Sequence, residues 1–224
     1  MANLYTFDFE EADLTAWETA TGWDHTGSTL TPSITAAQHN TGAQSMLFAD
    51  PGGNQLCYVE VVLSPNKAEL FGSIWLYVTT FPPDSQRSFF IGTNTNGDQY
   101  FVCLNVDGTV GICGPTENTS IKNTTGTVSL NTWTRVQFHL KAAGASSLWE
   151  ILLGAETATA TTSETSASFN GIKIVMDNFS GATTYYVDGF MLDDAAYPIE
   201  GPGPSRILRQ NSIRPNFFAP GIAR

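Results

Sequence analysis

Ser88-Phe89-Phe90-Ile91-Gly92, Gln99-Tyr100-Phe101-Val102-Cys103-Leu104-Asn105-Val106 and Thr109-Val110-Gly111-Ile112-Cys113 are three short runs rich in aromatic and β-branched residues. Between them lie Asn96-Gly97 and Asp107-Gly108. Both central positions of a type I′ turn need φ > 0, which Asn, Asp and Gly adopt most readily, so each dipeptide between two such runs predicts a tight hairpin. The stretch reads as three antiparallel strands in a meander.

The same pattern extends in both directions. Period-two or continuous β-rich runs bounded by turn residues occur at Leu4–Phe9, Gln44–Phe48, Gln55–Leu63, Glu69–Thr79, Thr134–Lys141, Leu148–Leu153, Gly171–Met176 and Thr184–Leu192. No helical period survives a full window, and Ala155–Ser168, rich in Thr and Ser, reads as a loop or an edge strand. About eleven strands exceed what one open sheet holds comfortably, so the chain is expected to form two packed antiparallel sheets, an all-β sandwich. Hydrophobic residues make up 42% and charged residues only 14% of the 224, which agrees with β-structure carrying polar turns.

Gly201-Pro202-Gly203-Pro204 closes this pattern, because each proline removes a donor and restricts the residue before it. The expected organisation is one β-sandwich domain over residues 1–200 and a linker with an extended arm over 201–224. Charge separates the two. All 21 acidic residues lie at or before Glu200 with only six of the 10 basic ones, a net −15, whereas the arm carries Arg206, Arg209, Arg214 and Arg224 and no acid, a net +4. An acidic body repels nucleic acid and anionic membranes, so neither is expected as a partner. The arm interleaves its arginines with Ile207, Leu208, Ile213, Phe217, Phe218 and Ile222, apolar anchors that a purely solubilising tail would lack. Arg206, Arg209, Arg214, Phe217, Phe218 and Arg224 are therefore expected to dock on a partner or on another copy of the chain.

Three cysteines, Cys57, Cys103 and Cys113, permit at most one disulfide, and Cys57 and Cys103 lie in apolar runs where a free thiol behaves as a small core residue. Met-Ala-Asn-Leu-Tyr at the N-terminus has no basic segment followed by an apolar stretch, so synthesis and folding in a cytoplasm are expected.

Four patches carry a resemblance. Phe7-Asp8-Phe9-Glu10 before Leu14-Thr15-Ala16-Trp17, then His39-Asn40-Thr41-Gly42-Ala43-Gln44-Ser45-Met46, then Asn131-Thr132-Trp133-Thr134-Arg135-Val136-Gln137-Phe138, and finally Tyr185-Tyr186-Val187-Asp188-Gly189-Phe190-Met191-Leu192 resemble, in order, strands of concanavalin A-like and carbohydrate-binding-module jelly rolls. The resemblance implies a two-sheet antiparallel jelly-roll sandwich. It also implies a structural Ca²⁺ tying the first strand to the last, with Glu10 and Asp188 as oxygen ligands.

The resemblance carries no catalytic pair. Glycosidases on this scaffold place two carboxylates on one strand, and no such run exists here; Glu150 stands alone between Trp149 and Ile151. His25, His39 and His139 have no nucleophile motif near them, so no enzymatic activity is expected. Sugar rings stack on Trp or Tyr, and the candidates are Trp23, beside Asp24 and His25 in a polar loop, with Trp17, Trp149 and Tyr185. Trp75, Tyr77 and Trp133 read instead as core.

Two functions fit. The first is a non-enzymatic virion protein of a tailed bacteriophage, a capsid decoration or head- or tail-associated subunit. It would be made in the host cytoplasm, dock on other virion proteins or on copies of itself through its arm, and bind host-surface or environmental glycans. The ending from Arg214 to Arg224 resembles the Arg/Pro/Gly-rich arms of such proteins. The second is a carbohydrate-binding module or lectin of a secreted polysaccharide-acting system.

Overall fold

A computed structural model describes residues 4–26, 28–52, 55–83, 86–94, 99–113, 120–162, 168–176 and 182–198. The expectations for the arm, Arg206, Arg209, Arg214, Phe217, Phe218 and Arg224 included, lie outside the described residues.

The strands, in chain order, are β1 (Tyr5–Phe7), β2 (Ser33–Thr35), β3 (Ser45–Asp50), β4 (Cys57–Lys67), β5 (Glu69–Thr80), β6 (Arg87–Thr93), β7 (Gln99–Leu104), β8 (Thr109–Cys113), β9 (Ser120–Thr127), β10 (Trp133–Lys141), β11 (Ser147–Leu153), β12 (Glu156–Thr162), β13 (Phe169–Met176) and β14 (Thr183–Asp193). They form two antiparallel sheets, an eight-stranded one in the order β12-β11-β10-β5-β14-β3-β2 with β1 also on β14, and a six-stranded one in the order β4-β13-β6-β7-β8-β9. This is the jelly-roll sandwich that the strand count and the four patches imply.

The meander is formed as expected, with Thr93 opposite Gln99 across β6 and β7, and Leu104 opposite Val110 across β7 and β8. The Asn96-Gly97 turn lies outside the described residues. At the second turn only Gly108 has a positive φ, 83°, and its N–H donates to Asn105 O. Asp107 keeps an ordinary backbone because its carboxylate accepts from Thr109 N at 3.0 Å and Thr109 Oγ1 at 2.7 Å, which fixes the turn by side-chain bonds instead of a second left-handed residue. Cys103 and Cys113 form a disulfide across this hairpin, and burial pushes the thiol of Cys57 up to about 12, so Cys57 is an inert core residue.

One helix departs from the all-β expectation. Leu14–Thr21 (α1) is capped by Asp13, whose Oδ1 accepts from Ala16 N at 2.8 Å, and is stopped by Gly22 at φ 76°. At eight residues it is too short for a periodic signal, but it turns Leu14 and Trp17 into the core. No helix among the described residues is long and apolar enough to cross a membrane.

Between the sheets, strand alternation delivers Leu70, Ile74, Leu76 and Val78 from β5, Val136, Phe138 and Leu140 from β10, and Trp149, Ile151 and Leu153 from β11. Gly72 makes room for Phe138, since a Cβ there would meet the Phe138 ring at 2.0 Å. Phe138 in turn packs on Phe90 of the opposite sheet at 4.2 Å between ring centroids.

This alternation corrects both aromatic assignments. Trp17, Trp23, Trp149 and Tyr185, expected as sugar platforms, are 0%, 1%, 0% and 2% exposed. Trp23 follows the Gly22 cap inward and meets Phe7 and Phe190 edge-on at 5.3 and 5.8 Å, while the backbone of its neighbour Asp24 exchanges N–H···O bonds with that of Glu60. Trp149 packs on Tyr100, and the Tyr185 hydroxyl donates to Val175 O. Conversely Trp75, Tyr77 and Trp133, read as core, point away from it and are half-buried.

Candidate functional site

The outer face of the eight-stranded sheet collects side chains that the core between the sheets does not use. Antiparallel register aligns them in rungs across β10, β5 and β14: Trp133, Tyr77 and Tyr186; then Arg135, Trp75 and Asp188; then Gln137 and Ser73; then His139 and Phe71; then Lys141 and Glu69. Glu150 of β11 extends the His139 rung.

The first rungs are aromatic. Tyr77 lies 5.5 Å from Trp133 and 5.9 Å from Tyr186 between ring centroids, the latter edge-on. Trp75 lies over Gly189, where a Cβ would meet its Cδ1 at 3.0 Å. Gly189 sits at φ 53° inside a bulge between Asp188 and Met191, so a left-handed residue without a side chain is what lets the indole lie across β14. Arg135 Nε donates to Ser73 Oγ at 2.8 Å, which fixes the guanidinium beside Trp75.

The far rungs are ionisable. His139 stacks on Phe71 at 4.0 Å and its Nε2 lies 2.9 Å from Glu69 Oε1, while Nδ1 lies 3.9 Å from Glu150 Oε2. Lys141 Nζ approaches the same Glu69 oxygen at 3.4 Å. Burial acts to raise the Glu69 pKa, but the hydrogen bonds from His139 and Lys141 outweigh it and hold the carboxyl below its ordinary value. Tyr197, beyond the end of β14, donates its hydroxyl to Glu150 Oε2 at 2.5 Å. Burial first, and the Glu150 carboxylate second, push that phenol far above its usual range, so it stays a donor.

In the sequence Glu150 and His139 stand isolated, because the group they join is drawn from four separate elements. The detectable signal was the alternation Trp133, Arg135, Gln137, His139, Lys141, every second residue of β10 being polar or aromatic. Read with Val136, Phe138 and Leu140 as the inward set, it marks an outward functional face.

Glu10 and Asp188, the expected calcium ligands, both reach the turn at residues 40–44. Phe9, fully buried at φ 56°, reverses the backbone so that Glu10 Oε1 accepts from Ala43 N at 2.8 Å and Gln44 N at 3.0 Å. Asp188 Oδ2 accepts from Asn40 N and Thr41 N, both at 2.8 Å, and Oδ1 from Gly189 N at 2.7 Å. Two carboxylates from opposite ends of the chain thus pin the 40–44 turn through N–H donors. Calcium needs six to eight oxygen ligands, and among the described residues no group of three or more His, Cys, Asp or Glu is placed to hold a metal. Burial raises the Asp188 pKa, and the bonds from Thr41, Asn40 and Gly189 offset part of that rise.

No family model and no protein of curated function matches this sequence. Its fold does match solved structures. "Cellulose induced protein, Cip1" is similar with a TM-score of 0.67 at 12% identity, over 88% of this chain and 100% of that one. The alginate lyase Aly36B is similar at 0.58 and 11%, over 87% and 98%. The alginate lyase vAL-1 from Chlorella virus is similar at 0.58 and 12%, over 86% and 100%. At these identities what is shared is the jelly-roll sandwich.

Proposed function

We propose that the protein binds polysaccharide chains along the outer face of its eight-stranded sheet, as a non-catalytic recognition domain. The observation that carries this reading is the group of outward rings Trp133, Tyr77, Tyr186 and Trp75, with Arg135 and Gln137 at the neighbouring outward positions of β10. Half-buried aromatic rings supply apolar surface for sugar C–H groups, and directional polar groups stand beside them for hydroxyls or carboxylates. A jelly-roll fold shared with proteins whose names include alginate lyases makes uronate polysaccharides sensible first probes. Titration calorimetry against alginate, xylan and cellulose oligosaccharides tests the reading, with binding to at least one expected for the wild type and weakened in Trp75→Ala.

The His139 group favours a second reading, cleavage of the bound chain. Against hydrolysis by a carboxylate pair, the imidazole occupies the space between Glu69 and Glu150 and Tyr197 engages Glu150, so among the described residues these two carboxylates do not flank an open position for a glycosidic bond. Assaying the same titrations for shortened products decides between the two. In the binding reading, residues 201–224 tether the domain to an assembly such as a virion; removing them would release it while leaving glycan affinity intact.

A further inference from the structure

Residues 193–198 do not simply leave the sheet. Asp193 Oδ1 accepts from Ala195 N at 2.7 Å and Ala196 N at 3.3 Å, turning the chain at the end of β14, and Asp194 bridges to Lys67 Nζ at 2.7 Å. The chain then crosses the outer face. Asp193 pairs with Phe71 of β5, yet Tyr197 reaches Glu150 of β11, passing over β5 and β10 on the way. Its ring meets Phe71 edge-on at 5.3 Å and His139 at 6.3 Å. Pro198 O then accepts from Arg135 Nη2 at 3.4 Å, two rungs toward the aromatic end. Bonds at both ends and ring contacts in the middle hold one short segment down, and beneath it lie the ionisable rungs.

We infer that Asp194–Pro198 is a strap closing one end of the glycan face, and that Tyr197 is the end wall that sets how long a chain the face accepts. This rests on the glycan reading above. The open part of the face is the aromatic part, Trp133, Tyr77, Tyr186 and Trp75, while Phe71, His139 and Glu150 form a covered part with the ring chemistry and hydrogen-bonding capacity of further sugar subsites. The bond from Tyr197 to Glu150 is the fastening at the strap's tip. Loss of the hydroxyl alone loosens the strap, and loss of the ring removes the wall.

The test uses the full chain as wild type, Tyr197→Phe and Tyr197→Ala, with graded alginate and xylan oligosaccharides as probes. Carbethoxylation of His139, followed by mass spectrometry with exposed His39 as the internal standard, reads the strap without any sugar. His139 should be protected in the wild type and modified roughly tenfold faster in Tyr197→Ala. Affinity should stop rising at a shorter oligosaccharide in the wild type than in Tyr197→Ala, with Tyr197→Phe between them. An unchanged His139 rate, or an unchanged length limit in a variant that still binds, overturns the inference. If His139 becomes reactive but no oligosaccharide binds either protein, the strap is real, and the glycan reading and the length limit fail together.

Discussion

The two sheets treat their outer faces in opposite ways. On the six-stranded sheet, Tyr58, Ile91, Phe101, Cys103, Cys113 and Val175 form a second buried apolar cluster on the side away from the main core, bordered by Lys173, which sits 4.0 Å above the Tyr58 ring and pairs with Glu60 at 2.8 Å. On the eight-stranded sheet the matching positions carry Arg135, Gln137, His139, Glu69, Glu150 and half-buried aromatic rings. Burying Phe101 or Val175 stabilises the fold at about 25 cal/mol per Å². Desolvated ionisable groups return little net stability even when paired. The sheet whose outer face contributes least to folding is therefore the one to associate with recognition.

This contrast is sharpest on β10, where stability and binding should separate residue by residue. Phe138→Ala empties the space under Gly72 and beside Phe90, and should cost about 3–5 kcal/mol in urea unfolding. A loss under 1 kcal/mol would show that the inner face is not the closely packed one. Asp188→Asn should come next. It replaces an acceptor of N–H bonds from Asn40, Thr41 and Gly189 with a group that turns an amide toward at least one of them, at about 1–3 kcal/mol. A calcium-dependent melting temperature in the wild type would assign Asp188 and Glu10 as ligands.

Smaller effects appear in the pH dependence, where two carboxylates on one face act with opposite sign. Glu69 has a folded pKa below its ordinary 4.5, so its contribution is fully present above that value and is lost as pH falls through the lowered folded value. Asp188 has a folded pKa above its ordinary 3.8, so its contribution is present below that value and is lost as pH rises through the raised one. Urea midpoints followed from neutral to acid pH should lose part of their acid-side decline in Glu69→Gln. A decline identical to that of the wild type would mean that the His139 and Lys141 contacts do not persist in solution.

Much of this fold was readable because strands announce themselves by period and turns by composition. The meander from Ser88 to Cys113 and the long runs at Glu69–Thr79 and Thr134–Lys141 emerge nearly as expected. β9, Ser-Ile-Lys-Asn-Thr-Thr-Gly-Thr, and β12, Glu-Thr-Ala-Thr-Ala-Thr-Thr, were harder because few of their side chains are apolar; β12 is an edge strand, the alternative left open for Ala155–Ser168. Alternation also says which residues share a face, not which face is inside. On β5 both sets, Ile74-Leu76-Val78 and Trp75-Tyr77, are hydrophobic, and only pairing with β10 and β14 decides between them. The His139 group was illegible for a different reason: its members lie on β5, β10, β11 and the segment after β14, and no spacing in the chain encodes their meeting.

The most direct test of the central claim compares Trp75→Ala with the wild type in two assays on the same samples, oligosaccharide titration and urea unfolding. Trp75 lies outward over Gly189 and outside the core cluster. Its loss should therefore cost about 1–2 kcal/mol of binding, roughly tenfold in affinity, with a change in unfolding free energy of about 1 kcal/mol or less. Unchanged affinity in a stably folded Trp75→Ala would place glycan recognition elsewhere and contradict the account.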